Sequence, residues 1–190
     1  MGRSQAVRQR PLAPPCVGSI PTAPASQGII KYHVSIYSKG MINPLIGLHA
    51  GLGEAGAIAL IWVMVELLHP SEAGKRRAAV AAWLAVVALL AAWVSGGWYY
   101  VSEYGNAVKP IIKAGPLPWT HSIMMETKEH LFLFLPFLAL LVAACIRRVP
   151  SYRPVVLLAG LIVVSIFSIA GMGWLVSSGY RAALEVITPV

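Results

Sequence analysis

The chain has 190 residues, of which 57% are hydrophobic and only 12% are charged. A soluble globular domain carries about 25% charged residues. The composition therefore excludes a disordered protein, a coiled coil and a nucleic-acid-binding module, and it indicates a protein of the lipid bilayer. The formal net charge is +8, and its meaning depends on where the basic residues lie.

The first 40 residues differ from the rest of the chain. They contain five prolines and five basic residues without a single acidic one, and so supply five of the net positive charges. They have no apolar stretch of the kind that a signal peptide requires. The Pro-rich run resembles translated transfer-RNA gene sequence upstream of a start codon. We therefore expect residues 1–40 to be a disordered or spurious extension and Met41 to be the start.

Residues 41–190 contain four apolar stretches, each close to or above the roughly 20 residues with which a helix crosses a bilayer. They are residues 45–68, 78–100, 124–146 and 155–179. The second and fourth contain no charged residue, which makes a buried helix of a soluble protein a poor alternative. The sequence therefore predicts an all-α integral membrane protein, a four-helix bundle of four transmembrane spans.

Basic residues in the short connections predict the orientation, because Lys and Arg are concentrated in cytoplasmic loops. Six of them lie in the two short connections: Lys75, Arg76, Arg77, Arg147, Arg148 and Arg153. We expect these connections on the cytoplasmic side of a bacterial inner membrane. Both termini and the long connection 101–127 are then expected outside.

The two halves of the predicted bundle share a motif. Four residues at the end of the second span recur 76 positions later at the end of the fourth: Gly97, Trp98, Ser102 and Tyr104 match Gly173, Trp174, Ser178 and Tyr180. Glycine and aromatic residues are common at membrane boundaries, but four matches within eight positions favour a relationship. The sequence therefore predicts two repeated transmembrane hairpins, related by an axis along the membrane normal.

Spans one and three then correspond, and each has one histidine near its outer end, His49 and His130. Counted from the inner ends of their spans, the two differ in depth by only about 5 Å. Ionisable residues inside a membrane are costly and indicate function, and histidine is a standard axial ligand of haem iron. The pair predicts one b-type haem, bound non-covalently because no Cys-x-x-Cys-His attachment motif is present.

A porphyrin also needs flat space beside the helices. Four glycines at the depth of the histidines could supply it: Gly53, Gly56, Gly97 and Gly173. On span three, Phe134 and Phe137 share the helical face of His130 and could contact the edge of the ring. Alternatively, the glycines serve only close helix packing.

This arrangement of four spans with His49 and His130 at one outer level resembles the small four-span b-type cytochromes. These form the broad cytochrome b561-like group and related bacterial families with two-span repeats. The resemblance covers Met41 to about Leu184. It implies that one haem near the outer face passes electrons between a membrane quinol and an external redox protein. A second haem is not implied, because His69 has no partner histidine near the inner face.

Glu54 supports a different hypothesis. This carboxyl lies within span one, among Gly, Ala and Leu, and it could relay protons or donate a hydrogen bond to a quinone, as could that of Glu126. A small transporter centred on Glu54 would have to form a homo-oligomer. Alternatively, the carboxyl is neutral and hydrogen-bonded to Ser165 or Ser168.

Two further alternatives concern a metal site and a structural role. Glu126 and His130 are four residues apart and share a helical face, so zinc or copper could be held by His49, His130 and either Glu126 or His121. The chain could also be a non-catalytic accessory subunit of a larger complex. Phosphate-binding and dinucleotide-binding motifs are absent, and the sequence contains no Asp for a Ser-His-Asp triad.

Overall fold

The computed structural model describes residues 43–187, so the predicted extension 1–40 and Met41 lie outside the described residues. Within this range four helices follow one another without a strand: α1 (Pro44–Leu68), α2 (Glu72–Ala114), α3 (Thr120–Cys145) and α4 (Arg153–Ile187). All four are long and apolar enough to cross a membrane. For the described residues, the prediction of an all-α chain with four helices of membrane-spanning length is confirmed.

Local sequence explains where α1 and α2 begin. Asn43 caps α1, since its side-chain oxygen accepts a hydrogen bond from the N–H of Leu45 at 2.8 Å. Pro44 follows in the first turn, where its missing N–H would have had no helical partner. Ser71 caps α2 by accepting a hydrogen bond from the N–H of Gly74 at 3.0 Å. Only a short connection remains between the two helices, which pack as a hairpin.

The connection between α2 and α3 is far shorter than the predicted 101–127. The end of the bundle with this connection is called the outer end, after the predicted orientation. After Tyr99 the second helix continues as a π-helix over Tyr100–Val108 and an α-helical end over Lys109–Ala114. The third helix begins with a π-helix over Thr120–Met125. With 43 residues, α2 is about 60 Å long, about twice the thickness of the bilayer hydrocarbon. The helix is therefore longer than a membrane span requires.

In the bundle, α1 packs against α2 and α4, and α3 packs against the same two helices. Helices α1 and α3 therefore lie diagonally opposite each other. We call the buried cluster drawn from residues 57–89, 135–146 and 155–169 the bundle core; it consists of small and aliphatic side chains. Gly56 brings α1 close to α2, because a Cβ at this position would lie 2.9 Å from the Leu89 side chain.

A second buried cluster lies at the outer end, where α2 and α4 extend past the bundle. We call it the outer cap; it consists of Tyr104, Val108, Ile111, Ile112, Val176, Tyr180 and Ala183. The start of α3 is fixed against it by Thr120, which occupies the notch left by Gly179 of α4. A Cβ at Gly179 would collide with the Thr120 side chain.

The opposite end of the bundle, with the two basic connections, is called the inner end. There the carboxylate of Glu66 accepts hydrogen bonds from Arg77 Nε at 2.7 Å and Nη2 at 2.8 Å. It also accepts one from Trp62 Nε1 at 3.0 Å. These contacts lie on the surface and join α1 to α2 beside their connection.

Candidate functional site

His49 lies in the outer half of α1 and is half-buried. Its Nδ1 donates a hydrogen bond to the carbonyl oxygen of Ala92 on α2 at 2.8 Å. The imidazole occupies the space beside Gly96, where a Cβ would lie 2.5 Å from Nδ1. Gly96 is thus the residue that admits the ring between the two helices. Metal-ligating histidines commonly donate their second ring N–H to a carbonyl in this way, and Nε2 is the nitrogen left for a ligand.

Two side chains of the diagonally opposite helix α3 approach His49 across the bundle. The ring of Phe132 meets the imidazole edge-on, with centroids 5.6 Å apart and an interplanar angle of 78°. Lys128, one turn before Phe132, interacts electrostatically with His49. Its Nζ lies against Gly173 of α4, 3.5 Å from the position that a Cβ would take. An imidazole and an ammonium group therefore share the interior of the outer half.

His130, the second predicted haem ligand, is exposed, and its Nδ1 donates to the Glu126 carbonyl of its own helix at 2.6 Å. Within residues 43–187 no hydrogen bond or ring contact joins it to His49. The expectation that both imidazoles face each other inside the bundle is therefore not met in this structure.

The reason is the rotation of α3 about its axis. His130 is two residues from Lys128 and two from Phe132, and two residues correspond to about 200° around a helix. Because Lys128 and Phe132 face the interior, His130 faces the surface. Phe134 and Phe137, which share its face, are 60% and 64% exposed.

The four predicted glycines take different roles. Gly56 is covered by Leu89 and serves helix packing, the alternative function considered for it. Gly173 lies beside the ammonium of Lys128. At Gly53 and Gly97, no atom lies within 4 Å of the position that a Cβ would take. Only these last two leave open space of the expected kind.

Glu54 is exposed on the surface of α1, although the sequence places it within a span and predicts it to be buried. Neither predicted hydroxyl partner reaches it. Ser165 donates to the carbonyl of Leu161 at 2.8 Å and Ser168 to that of Val164 at 2.9 Å, both within α4. The expected hydrogen bond between Glu54 and one of these serines is absent from this structure, and Glu54 is not part of the interior site.

The predicted metal ligands do not come together either. In the described part of the chain no group of three or more His, Cys, Asp or Glu side chains could hold a metal ion, and Glu126 is exposed. His121, another predicted ligand, is only 1% exposed beside the outer cap. Its Nδ1 shares a hydrogen bond of 3.0 Å with the Tyr104 hydroxyl, while its Nε2 has no partner among the described residues.

Sequence reasoning missed Lys128 and Phe132 as interior residues. Phe132 begins a series with Leu135, Ala139 and Val142 at spacings of three and four, and the last three are buried. This is the spacing of one helical face, and Lys128 extends it by one turn. Exposed apolar residues on the other faces of α3 have the same kind of spacing, so the series alone does not identify the interior face.

Comparisons of the chain with protein-family models, curated proteins and solved structures find no match. The geometry of the site therefore carries the functional conclusion. It offers an imidazole nitrogen fixed for ligation, an aromatic ring edge and an ammonium group, all in the outer half of a membrane bundle.

Proposed function

We propose that the chain is an integral membrane electron-transfer protein that binds one b-type haem in the outer half of its bundle, with His49 as an axial ligand. The observation that carries the proposal is the hydrogen bond from His49 Nδ1 to the Ala92 carbonyl. It fixes the orientation of the ring and makes Nε2 the nitrogen with the free lone pair. An ionisable side chain held this way within a membrane span is a functional candidate by default.

The surrounding residues fit a ligating histidine. Gly96 provides the space for the imidazole, and the Ala92 carbonyl increases the basicity of the ring through the hydrogen bond. Phe132 restricts rotation of the imidazole by contacting it edge-on. The bundle core below is apolar and excludes water. A haem bound at this position would supply one-electron transfer by cycling between its ferric and ferrous states.

His130 lies at a suitable depth to supply a second axial bond to the iron, but it lies on the wrong face of α3. His130 lies on the helix diagonally opposite His49, two residues from the Phe132 that contacts it. Its imidazole is on the surface, so it can bind the same iron only if α3 turns by about half a rotation. The spin state of the iron distinguishes one histidine ligand from two.

The electron donor and acceptor are proposed from the resemblance to the small four-span b-type cytochromes. We assign a membrane quinol as donor and an external redox protein as acceptor. The basic connections support a cytoplasmic inner end in a bacterial inner membrane, which places both termini and the haem site toward the outside. Trp98 and Trp174 near the outer end are 69% and 65% exposed, as is common for aromatic residues at a membrane interface.

The hairpins α1–α2 and α3–α4 are proposed to be repeats. Three pairs of matched residues have equivalent surroundings: the two tryptophans are exposed, and Tyr104 and Tyr180 are each 2% exposed in the outer cap. Ser102 donates to the carbonyl of Trp98 at 2.8 Å, and Ser178 donates to that of Trp174 at 3.0 Å. Shared environments at a constant separation support a common origin of the hairpins.

The test is an absorption spectrum of the full chain, produced with haem supply and purified in mild detergent. We expect a Soret band and an α-band that appears on reduction. His49→Ala is expected to bind at least about tenfold less haem than the wild type, because the iron loses its protein ligand. His69→Ala is the matched control, since His69 lies exposed at the other end of the same helix. Adding imidazole to His49→Gly should restore the Soret band.

A colourless wild-type protein would refute the proposal, and so would full haem content in His49→Ala. His130→Ala tests whether one or two histidines bind the iron. A low-spin spectrum that becomes high-spin in this variant would mean that α3 turns His130 inward around haem. An unchanged spectrum would leave His49 as the histidine ligand.

A further inference from the structure

Lys128 is a cation inside the bundle without an anion. It is half-buried on the interior face of α3, and its Nζ lies against Gly173 of α4. Among residues 43–187, the ion pairs join Lys75 to Glu72 and Arg77 to Glu66, both near the inner end. Neither pair includes Lys128, and no hydrogen bond of its Nζ to another described residue is found.

The acid nearest in sequence attracts Lys128 electrostatically but forms no ion pair with it. Glu129 follows Lys128 directly, and its side chain is exposed on a different face of α3. The Glu129 carboxylate interacts with the hydroxyl of Tyr100 on α2. An ammonium group in apolar surroundings is strongly unfavourable unless an anion or several hydrogen bonds compensate it. Among residues 43–187, no negative group therefore contacts the ammonium of Lys128 in the interior site.

The Lys128 and His49 side chains enter the same interior of the bundle from opposite sides. The two side chains come from diagonally opposite helices and interact electrostatically. The imidazole lies toward α2, against Ala92 and Gly96, whereas the ammonium lies toward α4, against Gly173. A ligand coordinated by His49 would thus meet Lys128 on the other side of the same interior.

We propose that Lys128 binds a carboxylate of the haem, and so anchors one propionate while His49 holds the iron. The inference rests on the proposed haem binding and adds the residue that fixes the orientation of the porphyrin. A porphyrin with two carboxylates supplies such a negative group. Ammonium–carboxylate hydrogen bonds are among the strongest in proteins, and the absence of a side chain at Gly173 leaves room beside the Nζ.

The test compares two porphyrins with the same iron, haem b and haem b dimethyl ester, whose carboxylates are masked. Both are titrated into the purified, haem-free full chain in detergent, and the dissociation constants are measured from the Soret band. We expect wild-type protein to prefer haem b over the diester by about tenfold, from one charge-assisted hydrogen bond. Lys128→Gln is expected to lose this preference, and Lys128→Arg to retain it. Dividing the wild-type ratio by the variant ratio cancels the different partition of the two porphyrins into detergent.

Lys113→Met is the control, because Lys113 is exposed on the outer extension of α2. It is expected to leave the preference unchanged. Equal affinities of the wild-type protein for both porphyrins would overturn the inference without any variant, as would an unchanged preference in Lys128→Gln. A change of iron spin state in Lys128→Gln would also overturn it, since Lys128 would then be an axial ligand. A wild-type protein that gives no Soret band with either porphyrin would refute haem binding itself.

Discussion

The bundle core and the outer cap are built from different side chains, although α2 and α4 run through both. The bundle core is made of buried alanines and aliphatic residues. The outer cap contains two buried tyrosines and borders on buried His121. Its Tyr104 stacks on Tyr100 with ring centroids 5.3 Å apart and shares a hydrogen bond with His121.

The surroundings of the two regions explain this difference. Lipid chains are as apolar as leucine, so helices in a bilayer are held by close packing of small residues. We expect the outer cap to lie beyond the hydrocarbon, because α2 and α4 are longer than a membrane span requires. There the burial of apolar area from water would stabilise the fold. The π-helix widens α2, and its longer turn brings Tyr104 beside both Tyr99 and Tyr100. His49 and Lys128 lie between the two regions and belong to neither cluster. The stability of each region and the haem content can therefore be measured separately in variants.

The largest effect is expected from Gly179→Leu, which separates α4 from α3 in the cap. The added side chain would occupy the space of Thr120, and such overpacking costs about 2 kcal/mol. Hydrogen exchange measured by mass spectrometry should then accelerate about 30-fold in residues 104–112. Exchange in the bundle core should stay unchanged if the two regions are stabilised separately.

Gly171→Leu is the matched control on the same helix. Gly171 is exposed, and a Cβ there meets no atom within 4 Å, so normal exchange in both regions is expected. Faster exchange throughout the bundle in Gly179→Leu would show that cap and bundle core unfold as one unit, and the proposed separation would then be wrong.

A smaller effect is expected from Tyr104→Phe, which tests the polar part of the cap. The substitution keeps the ring but leaves His121 Nδ1 without its hydrogen bond, at a cost of about 1.4 kcal/mol. Exchange in residues 104–112 should accelerate about tenfold, with haem content unchanged. Ser102→Ala removes an exposed hydroxyl that bonds only to the Trp98 carbonyl of its own helix, and it should have almost no effect. Equal results for the two variants would contradict a stabilising role of the Tyr104–His121 bond.

The helices could be predicted from the sequence because the signal is composition over long windows. Two charge-free stretches longer than 20 residues, at 78–100 and 155–179, leave few alternatives to a membrane span. The outer connection could not be predicted, since Tyr104, Ile111 and Ile112 appear as scattered apolar residues among polar ones. Only their contacts with α4 show that they form a second buried cluster.

The interior face of α3 was beyond sequence reasoning for a different reason. This helix is apolar around its whole circumference, with Phe134, Phe137 and Leu141 exposed opposite buried Leu135 and Ala139. Where lipid covers the surface, apolar spacing alone does not distinguish inside from outside. The depth of His130 along its helix matches that of His49, but depth carries no information about the rotation of α3.

The smallest effect is expected at the inner end from Arg77→Gln, which removes the ion pair with Glu66. Pairs of exposed charges contribute little, because water already solvates both groups, and salt screens what remains. The melting temperature in neutral detergent should fall less than it does in Tyr104→Phe, and the difference from wild type should vanish at high salt. Arg76→Gln is the control, since Arg76 is a neighbouring residue outside this pair. A loss as large as that in Tyr104→Phe, and independent of salt, would mean that the inner end depends on polar contacts as the outer cap does. The dependence on polar contacts would then distinguish both ends of the molecule from its middle, and not the outer cap from the rest of the bundle.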